Sequence, residues 1–263
     1  MPGEGRLEMH LRAEGLSDIG RCRTSNEDSF SLDDRLSFYL VADGVGGQPA
    51  GEVASRLVAE KLPEILARGA TGSEVDARDL LDQAVREVNR TLNEAASGNP
   101  AWRGMSTTVV AAWCQPDSVL IANVGDSRAY LVRDQQIELL SEDHTVLAEQ
   151  LREGLDVDES ANRMAHVLTR CLGLEDDIEV TVGALPVVPG DRILLCSDGL
   201  TDSLSDEVIR SVVLSTTGPG EACRMLVELA NRNGGRDNIT VVLIFIDEGT
   251  LRTRLSTIFG RRK

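Results

Sequence analysis

Residues Thr107–Asp134 read TTVVAAWCQPDSVLIANVGDSRAYLVRD, three short apolar runs rich in β-branched residues. Gln115-Pro116-Asp117 parts the first run from the second, and Asp134-Gln135-Gln136 leads from the third into Ile137–Leu140. Both read as hairpin turns, and a hairpin joins antiparallel neighbours, whereas a parallel pair needs a long crossover. Strands are therefore predicted at Thr107–Trp113, Ser118–Asn123, Ala129–Arg133 and Ile137–Leu140. Outside this block, Leu36–Ala42, Arg192–Cys196 and Ile239–Ile246 carry the same signal. Apolar residues at helical spacing predict helices over Gly51–Arg68 (with Pro63 an interruption), Ala77–Ala96 and Gly220–Asn231, and shorter ones near Glu142–Glu153 and Asp206–Leu214. Strands, a helix pair, a run of strands and then helices is not the βαβ alternation of a parallel sheet. The order predicts antiparallel sheets packed beside helices, an α+β layered domain.

The chain has 263 residues, with Lys+Arg 27 against Asp+Glu 43, a net charge of −16. A single domain is expected over residues 1–249, followed by a basic tail, 250–263 (TLRTRLSTIFGRRK), with five basic residues and no acid. So acidic a chain lacks the basic footprint of a nucleic-acid binder and is repelled by an anionic membrane surface. The start, MPGEGRLEMHLRAEG, has no apolar core of a secretory signal, and the longest apolar run, Ile239–Ile246, falls far short of a membrane span. Five cysteines (Cys22, Cys114, Cys171, Cys196, Cys223) are odd in number and far apart. Reduced thiols and a cytoplasmic location are the expectation.

The chemistry sits where aspartates meet strand ends. Asp43 follows FYLVA, Asp126 follows LIANVG, Asp198 follows RILLCS, and Asp237 precedes NITVVLIFI. An ionised carboxylate beside a buried strand is costly unless paired, hydrogen-bonded or bound to a cation. With Glu27-Asp28 they form an all-oxygen donor set, which selects Mg²⁺ or Mn²⁺. The histidines (His10, His144, His166) are scattered and no cysteine pair has finger spacing, so zinc is not expected. Carboxylates converging on two such cations would lower the pKa of a bridging water and clamp an in-line displacement at phosphorus. No cysteine is followed six residues later by arginine, which excludes a cysteine phosphatase, and neither GxxxxGK[ST] nor a full GxGxxG occurs.

From Gly15 to Asp247 the chain resembles the metal-dependent, type 2C serine/threonine protein phosphatases in their bacterial form. The resemblance rests on Arg23-Thr24-Ser25-Asn26-Glu27-Asp28, Ala42-Asp43-Gly44-Val45-Gly46-Gly47, Ser106-Thr107-Thr108 and Val124-Gly125-Asp126-Ser127-Arg128. Leu168-Thr169-Arg170, Ser197-Asp198-Gly199-Leu200 and Arg236-Asp237-Asn238-Ile239-Thr240 complete the series in family order. It implies a four-layer α-β-β-α sandwich, two antiparallel sheets flanked by helices. It implies two core Mn²⁺ or Mg²⁺ ions plus a possible third, and hydrolysis of phosphoserine and phosphothreonine by direct attack of a bridging water. Asp43 would bridge two ions and the Gly44 carbonyl would touch one; Asp198 and Asp237 would hold the first, and Glu27 would reach the second through water. Asp126, with Asp198, would supply the third site, Asp28 and Asn238 would support the ligands from behind, and Arg23 would grip the substrate phosphate. Phosphorylated proteins and a cognate serine/threonine kinase are the implied partners of a monomer.

One position departs from the family. Eukaryotic members often carry a histidine, a proposed general acid, after the Asp-Gly pair; here it is Val45. A metal-bound water or His144 would then have to protonate the leaving oxygen, although a turn or capping role suits His144 and a surface or packing place suits His166. The charged stretch Asp143–Leu172 is either a solvated loop or a substrate-gating lid. Two other functions stay open: a catalytically weak member acting as a phosphoprotein-binding regulatory module, and a hydrolase of small phosphate esters.

Overall fold

The computed structural model describes residues 9–47, 50–70, 75–155 and 164–249. Within them the chain runs β1 (Met9–Asp18), β2 (Asp28–Asp33), β3 (Phe38–Asp43), α1 (Gly51–Ala70), α2 (Ala77–Gly98), β4 (Val109–Cys114), β5 (Ser118–Val124) and β6 (Arg128–Arg133). It continues through β7 (Gln136–Leu139), α3 (Val146–Arg152), β8 (Thr181–Pro186), β9 (Arg192–Cys196), α4 (Asp198–Thr201), α5 (Asp206–Ser215), α6 (Pro219–Arg232) and β10 (Ile239–Glu248). One sheet has the order β2-β3-β4-β5-β8 and the other β1-β10-β9-β6-β7. Every neighbouring pair is antiparallel.

The alternation of side chains across each strand builds the layers. Phe38, Leu40 and Ala42 of β3 pack under α1 and α2 with Val58, Leu62, Leu81 and Val85. Their neighbours Tyr39 and Val41 point the other way, into a layer between the sheets shared with Val110, Ile121, Ile193, Val242 and Ile244. On the far side, Leu243 and Phe245 of β10 meet Ile209 of α5 and Leu226 of α6. Strands buried on both faces need no polar alternation, which is why LSFYLVA and ITVVLIFI read as unbroken apolar runs. The result is the expected α-β-β-α sandwich. Pro63 sits inside α1 without ending it, because Val58, Leu62, Ile65 and Leu66 around it are buried in the core; that packing outweighs the local cost of roughly 3 kcal/mol.

Both predicted hairpins form. Gln115-Pro116-Asp117 joins β4 to β5, and Asp134 and Gln135, at φ 48° and 66°, form the two-residue turn between β6 and β7. Positive φ at both positions matches the twist of the flanking strands. The connection Gly125-Asp126-Ser127 does something else: it carries the chain from β5 in one sheet to β6 in the other. Three strands lie outside the predicted set, β1, β2 and β8, and each is an edge strand. The tail, 250–263, and residues 156–163 of the Asp143–Leu172 stretch lie outside the described residues. Among the described residues no helix is long and apolar enough to cross a membrane.

Candidate metal centre

The strand ends that carry the acids meet at one edge of the sandwich. Asp43 closes β3 and faces Asp28, the first residue of β2, across the ladder. Asp198 opens α4 directly after β9, Asp237 stands before β10, and Asp126 lies in the sheet-crossing turn. Together with Arg23, Glu27, Gly44 and Asn238 they line an open cavity of about 490 Å³. Asp28 is buried behind it. The structure thus brings together all nine sequence-predicted site residues. A larger groove, about 890 Å³, runs between β2 and α1, but mixed charges line it without a converging donor set.

Backbone contacts fix the acids. The Thr107 hydroxyl and the Thr108 N–H donate to the Asp43 carbonyl, both at 2.8 Å, while the Asp43 N–H donates to Thr108 Oγ1 at 3.1 Å. The Gly44 N–H donates to the Glu27 carbonyl at 3.1 Å. A Cβ at Gly44 would lie 2.4 Å from the Gly51 carbonyl oxygen, so only glycine lets α1 begin this close to the centre. Asn238 ties the loop after β1 to the start of β10: its amide donates to the carbonyls of Ile19 and Ser25, and its Oδ1 accepts from the Glu27 N–H at 2.8 Å. The Ser197 hydroxyl donates to Asp28 Oδ2 at 2.7 Å and is itself held by the Thr240 N–H.

So many acids in one place raise one another's affinity for protons. Burial, then the charges of Asp28, Asp198 and Asp126, hold the Asp43 carboxyl well above its ordinary range. Burial, then Asp198, pushes Asp126 up to about 7. Burial pushes Asp28 up to about 6 against the hydrogen bonds from Ser197 and Thr240, and burial, then Glu52, raises Glu27. Glu27 Oε2 and Asp28 Oδ1 are buried with no hydrogen-bond partner. Orphaned carboxylate oxygens and mutually raised acids are what a bound cation would relieve. The donors are all oxygen save one, which fits hard divalent cations.

That exception is His166. Its Nδ1 lies 3.6 Å from Asp198 Oδ2 and its Nε2 3.6 Å from Asp202 Oδ2. One ligand atom each from Asp126, His166 and Asp198 fall within 4.8 Å of one another. The nearby Asp198 carboxylate, then the charge of Asp202, pushes the His166 imidazole up to about 9 despite burial. A surface or packing place for His166 therefore describes its exposure but misses its position over the acids. Asp202 was missed altogether, although its spacing of four from Asp198 puts the two one helical turn apart.

Arg23 and His144 occupy different surroundings. Arg23, whose Nη2 lies 2.5 Å from Asp237 Oδ2, lines the cavity. Arg21 instead packs against Gly235, its N–H donating to that carbonyl at 2.6 Å. His144 is 1% exposed, with Nδ1 engaged by the Gly125 N–H and Nε2 3.1 Å from Thr181 Oγ1. The turn role fits His144; a proton donor to the cavity it is not.

Residues 21–233 match the family described as protein phosphatase 2C. The serine/threonine phosphatase stp of Listeria innocua is 37% identical over 243 residues, covering 89% of this chain and 95% of its own. The serine/threonine protein phosphatase PstP of Mycobacterium tuberculosis is 37% identical over 240 residues, 90% of this chain and 45% of that longer protein. The crystal structure of the PstP catalytic domain in complex with two manganese ions superposes with a TM-score of 0.79 at 35% identity, covering 91% of this chain and 100% of that one. Fold, motif order and these likenesses agree: the chain belongs to the protein phosphatase 2C family of metal-dependent serine/threonine phosphatases.

Proposed function

We propose that this protein removes phosphate from phosphoserine and phosphothreonine in other proteins, using divalent cations held by the acids at the sandwich edge. The convergence of Glu27, Asp43, Asp126, Asp198 and Asp237 with Arg23 around one cavity carries this reading. Asp43 would be shared between two cations, one held with Asp198 and Asp237 and the other with Glu27 and the Gly44 carbonyl. Asp126 and Asp198 supply a further site. Asp28, through Ser197, and Asn238, through the Glu27 backbone, hold this set in place. When bound, Mn²⁺ or Mg²⁺ supplies Lewis acidity, lowering the pKa of water and neutralising charge on phosphoryl oxygens.

The chain's own groups do the rest. Arg23 presents a half-exposed guanidinium whose planar fork meets two phosphate oxygens at once. The acids repel a dianionic phosphate, so substrate capture depends on that cation and on loading of the carboxylates. Neither Val45, which has no proton to give, nor His144, both of whose ring nitrogens are committed, can protonate the leaving seryl or threonyl oxygen; that leaves water in the open cavity and the His166 ring that lines it. The reading extends to a monomer working in the cytoplasm opposite a serine/threonine kinase; the five free cysteines fit the reducing compartment. The test is release of phosphate from phosphothreonine peptides and from p-nitrophenyl phosphate with Mn²⁺ and with excess EDTA. Turnover of both with Mn²⁺ and neither with EDTA is expected. Undiminished turnover in EDTA rejects the mechanism, and turnover of the small ester alone rejects the protein substrate.

A further inference from the structure

The turn that carries Asp126 is held by one buried side chain. The Gly125 N–H donates to His144 Nδ1 at 3.1 Å, and the His144 N–H donates back to the Gly125 carbonyl at 3.0 Å. Because Nδ1 accepts, the neutral ring carries its proton on Nε2, where Thr181 Oγ1 lies 3.1 Å away and can accept it. Arg170 Nη1, 3.4 Å from Nε2, sets a cation against any second proton.

Gly125 needs such a hold. Its φ is +107°, and a Cβ there would meet Thr108 Cγ2 at 2.6 Å, so no side chain at 125 can brace the turn. His144 also reaches the stretch that follows it: its carbonyl accepts from the Thr169 N–H at 2.9 Å, and its neighbour Thr145 caps α3 by accepting from the Ala148 N–H. His144 and its neighbour thus link the Asp126 turn to Thr169 and to the start of α3.

We propose that His144 is a positioning residue for Asp126: its Nε2–H tautomer fixes the Gly125 peptide, and through it aims the Asp126 carboxylate at Asp198. The consequence for metal binding rests on the reading that Asp126 holds a cation; the hydrogen bond itself does not. The variants are chosen by shape. Asparagine places an acceptor near the position of Nδ1, whereas glutamine reaches toward Nε2 and leaves the Gly125 N–H without its partner.

The experiment compares wild type, His144→Asn, His144→Gln and Asp126→Asn. In the metal-free proteins, exchange of the Gly125 amide is followed by NMR, and the wild-type ring nitrogens are read for their protonation. Nε2 should carry the proton, and Gly125 exchange should rise about tenfold in His144→Gln while His144→Asn stays close to wild type. Manganese titration by calorimetry should then show the event lost in Asp126→Asn weakened about tenfold by His144→Gln. Adding His144→Gln to Asp126→Asn should weaken binding no further, as coupled sites require. A proton on Nδ1, equal exchange in the Asn and Gln variants, or additive losses of affinity overturns the proposal. If Asp126→Asn removes no binding event, the cation at Asp126 is rejected, and the amide exchange alone decides the role of His144.

Discussion

Arg23 Nη2 lies 2.5 Å from Asp237 Oδ2, so the guanidinium proposed to take the substrate phosphate rests on a carboxylate proposed to hold a cation. The Asp237 hydrogen bond is also the main reason that the Arg23 pKa is raised. A cation on Asp237 and a phosphate on Arg23 would each displace one half of this pair, so loading of Asp237 frees the guanidinium for substrate. Arg23→Ala should lower kcat/KM on a phosphothreonine peptide on the order of tenfold to a hundredfold, chiefly through KM. Arg21→Ala, outside the cavity, should leave it near wild type. A loss confined to Arg21→Ala would show that the motif has been placed two residues out of register.

The acids should differ in their consequences. Asp43→Asn removes the carboxylate proposed to bridge the two core cations and should lower kcat by about 10²–10³ or more. Asp126→Asn should keep the tighter manganese-binding events in calorimetry and lose turnover only in part. Equal kcat for wild type and Asp43→Asn at saturating Mn²⁺ contradicts the assignment.

Removal of metal should expose the crowding of the acids as pH dependence. Burial and Asp198 push the Asp126 carboxyl up to about 7, from an ordinary value of 3.8. Between those limits the folded protein binds a proton that the unfolded chain does not, so this residue costs increasing stability as pH rises. In EDTA, Asp126→Asn should unfold near the wild-type temperature around pH 4 and at a higher temperature above pH 7. Added Mn²⁺ should reverse that order. Thermal melts across the range check both, and a variant less stable than wild type at pH 8 in EDTA refutes the electrostatic account.

Ile244 is fully buried in the layer between the sheets, away from the cavity. Ile244→Ala should cost about 2–5 kcal/mol in denaturant unfolding. Manganese affinity of the folded fraction should not change, because the donors sit on strand ends and turns. A matching loss of affinity would mean that the core and the site are mechanically coupled.

The sequence was most legible where strands are covered on both faces. RILLC at 192–196 and ITVVLIFI at 239–246 announce themselves by continuous apolarity, and both lie inside their sheet. The edge strands are quieter. β1 holds Met9, Leu11 and Ala13 against the core with His10, Arg12 and Glu14 facing out, a period-two pattern diluted by charge. β8 carries Gly183 and ends on Pro186, both poor strand formers outside an edge. Within the site, motif residues such as Asp43 and Asp198 were readable because family order fixes them. His166 was not, since nothing local distinguishes a histidine lying over two carboxylates from one on an open surface.

The turn Gly125-Asp126-Ser127 crosses between the sheets, and the donors divide the same way. Glu27 and Asp43 flank strands of one sheet, whereas Asp198 and Asp237 flank strands of the other. Oil-like contact joins the two leaves along their whole span, but at the cavity end they meet as like charges. A cation there is a clasp on a book: it closes one margin of the molecule and leaves the spine untouched. Chelation should accordingly loosen that margin first, with amide exchange quickening at the strand ends near Asp43 and Asp198 while the middles of β3 and β10 hold.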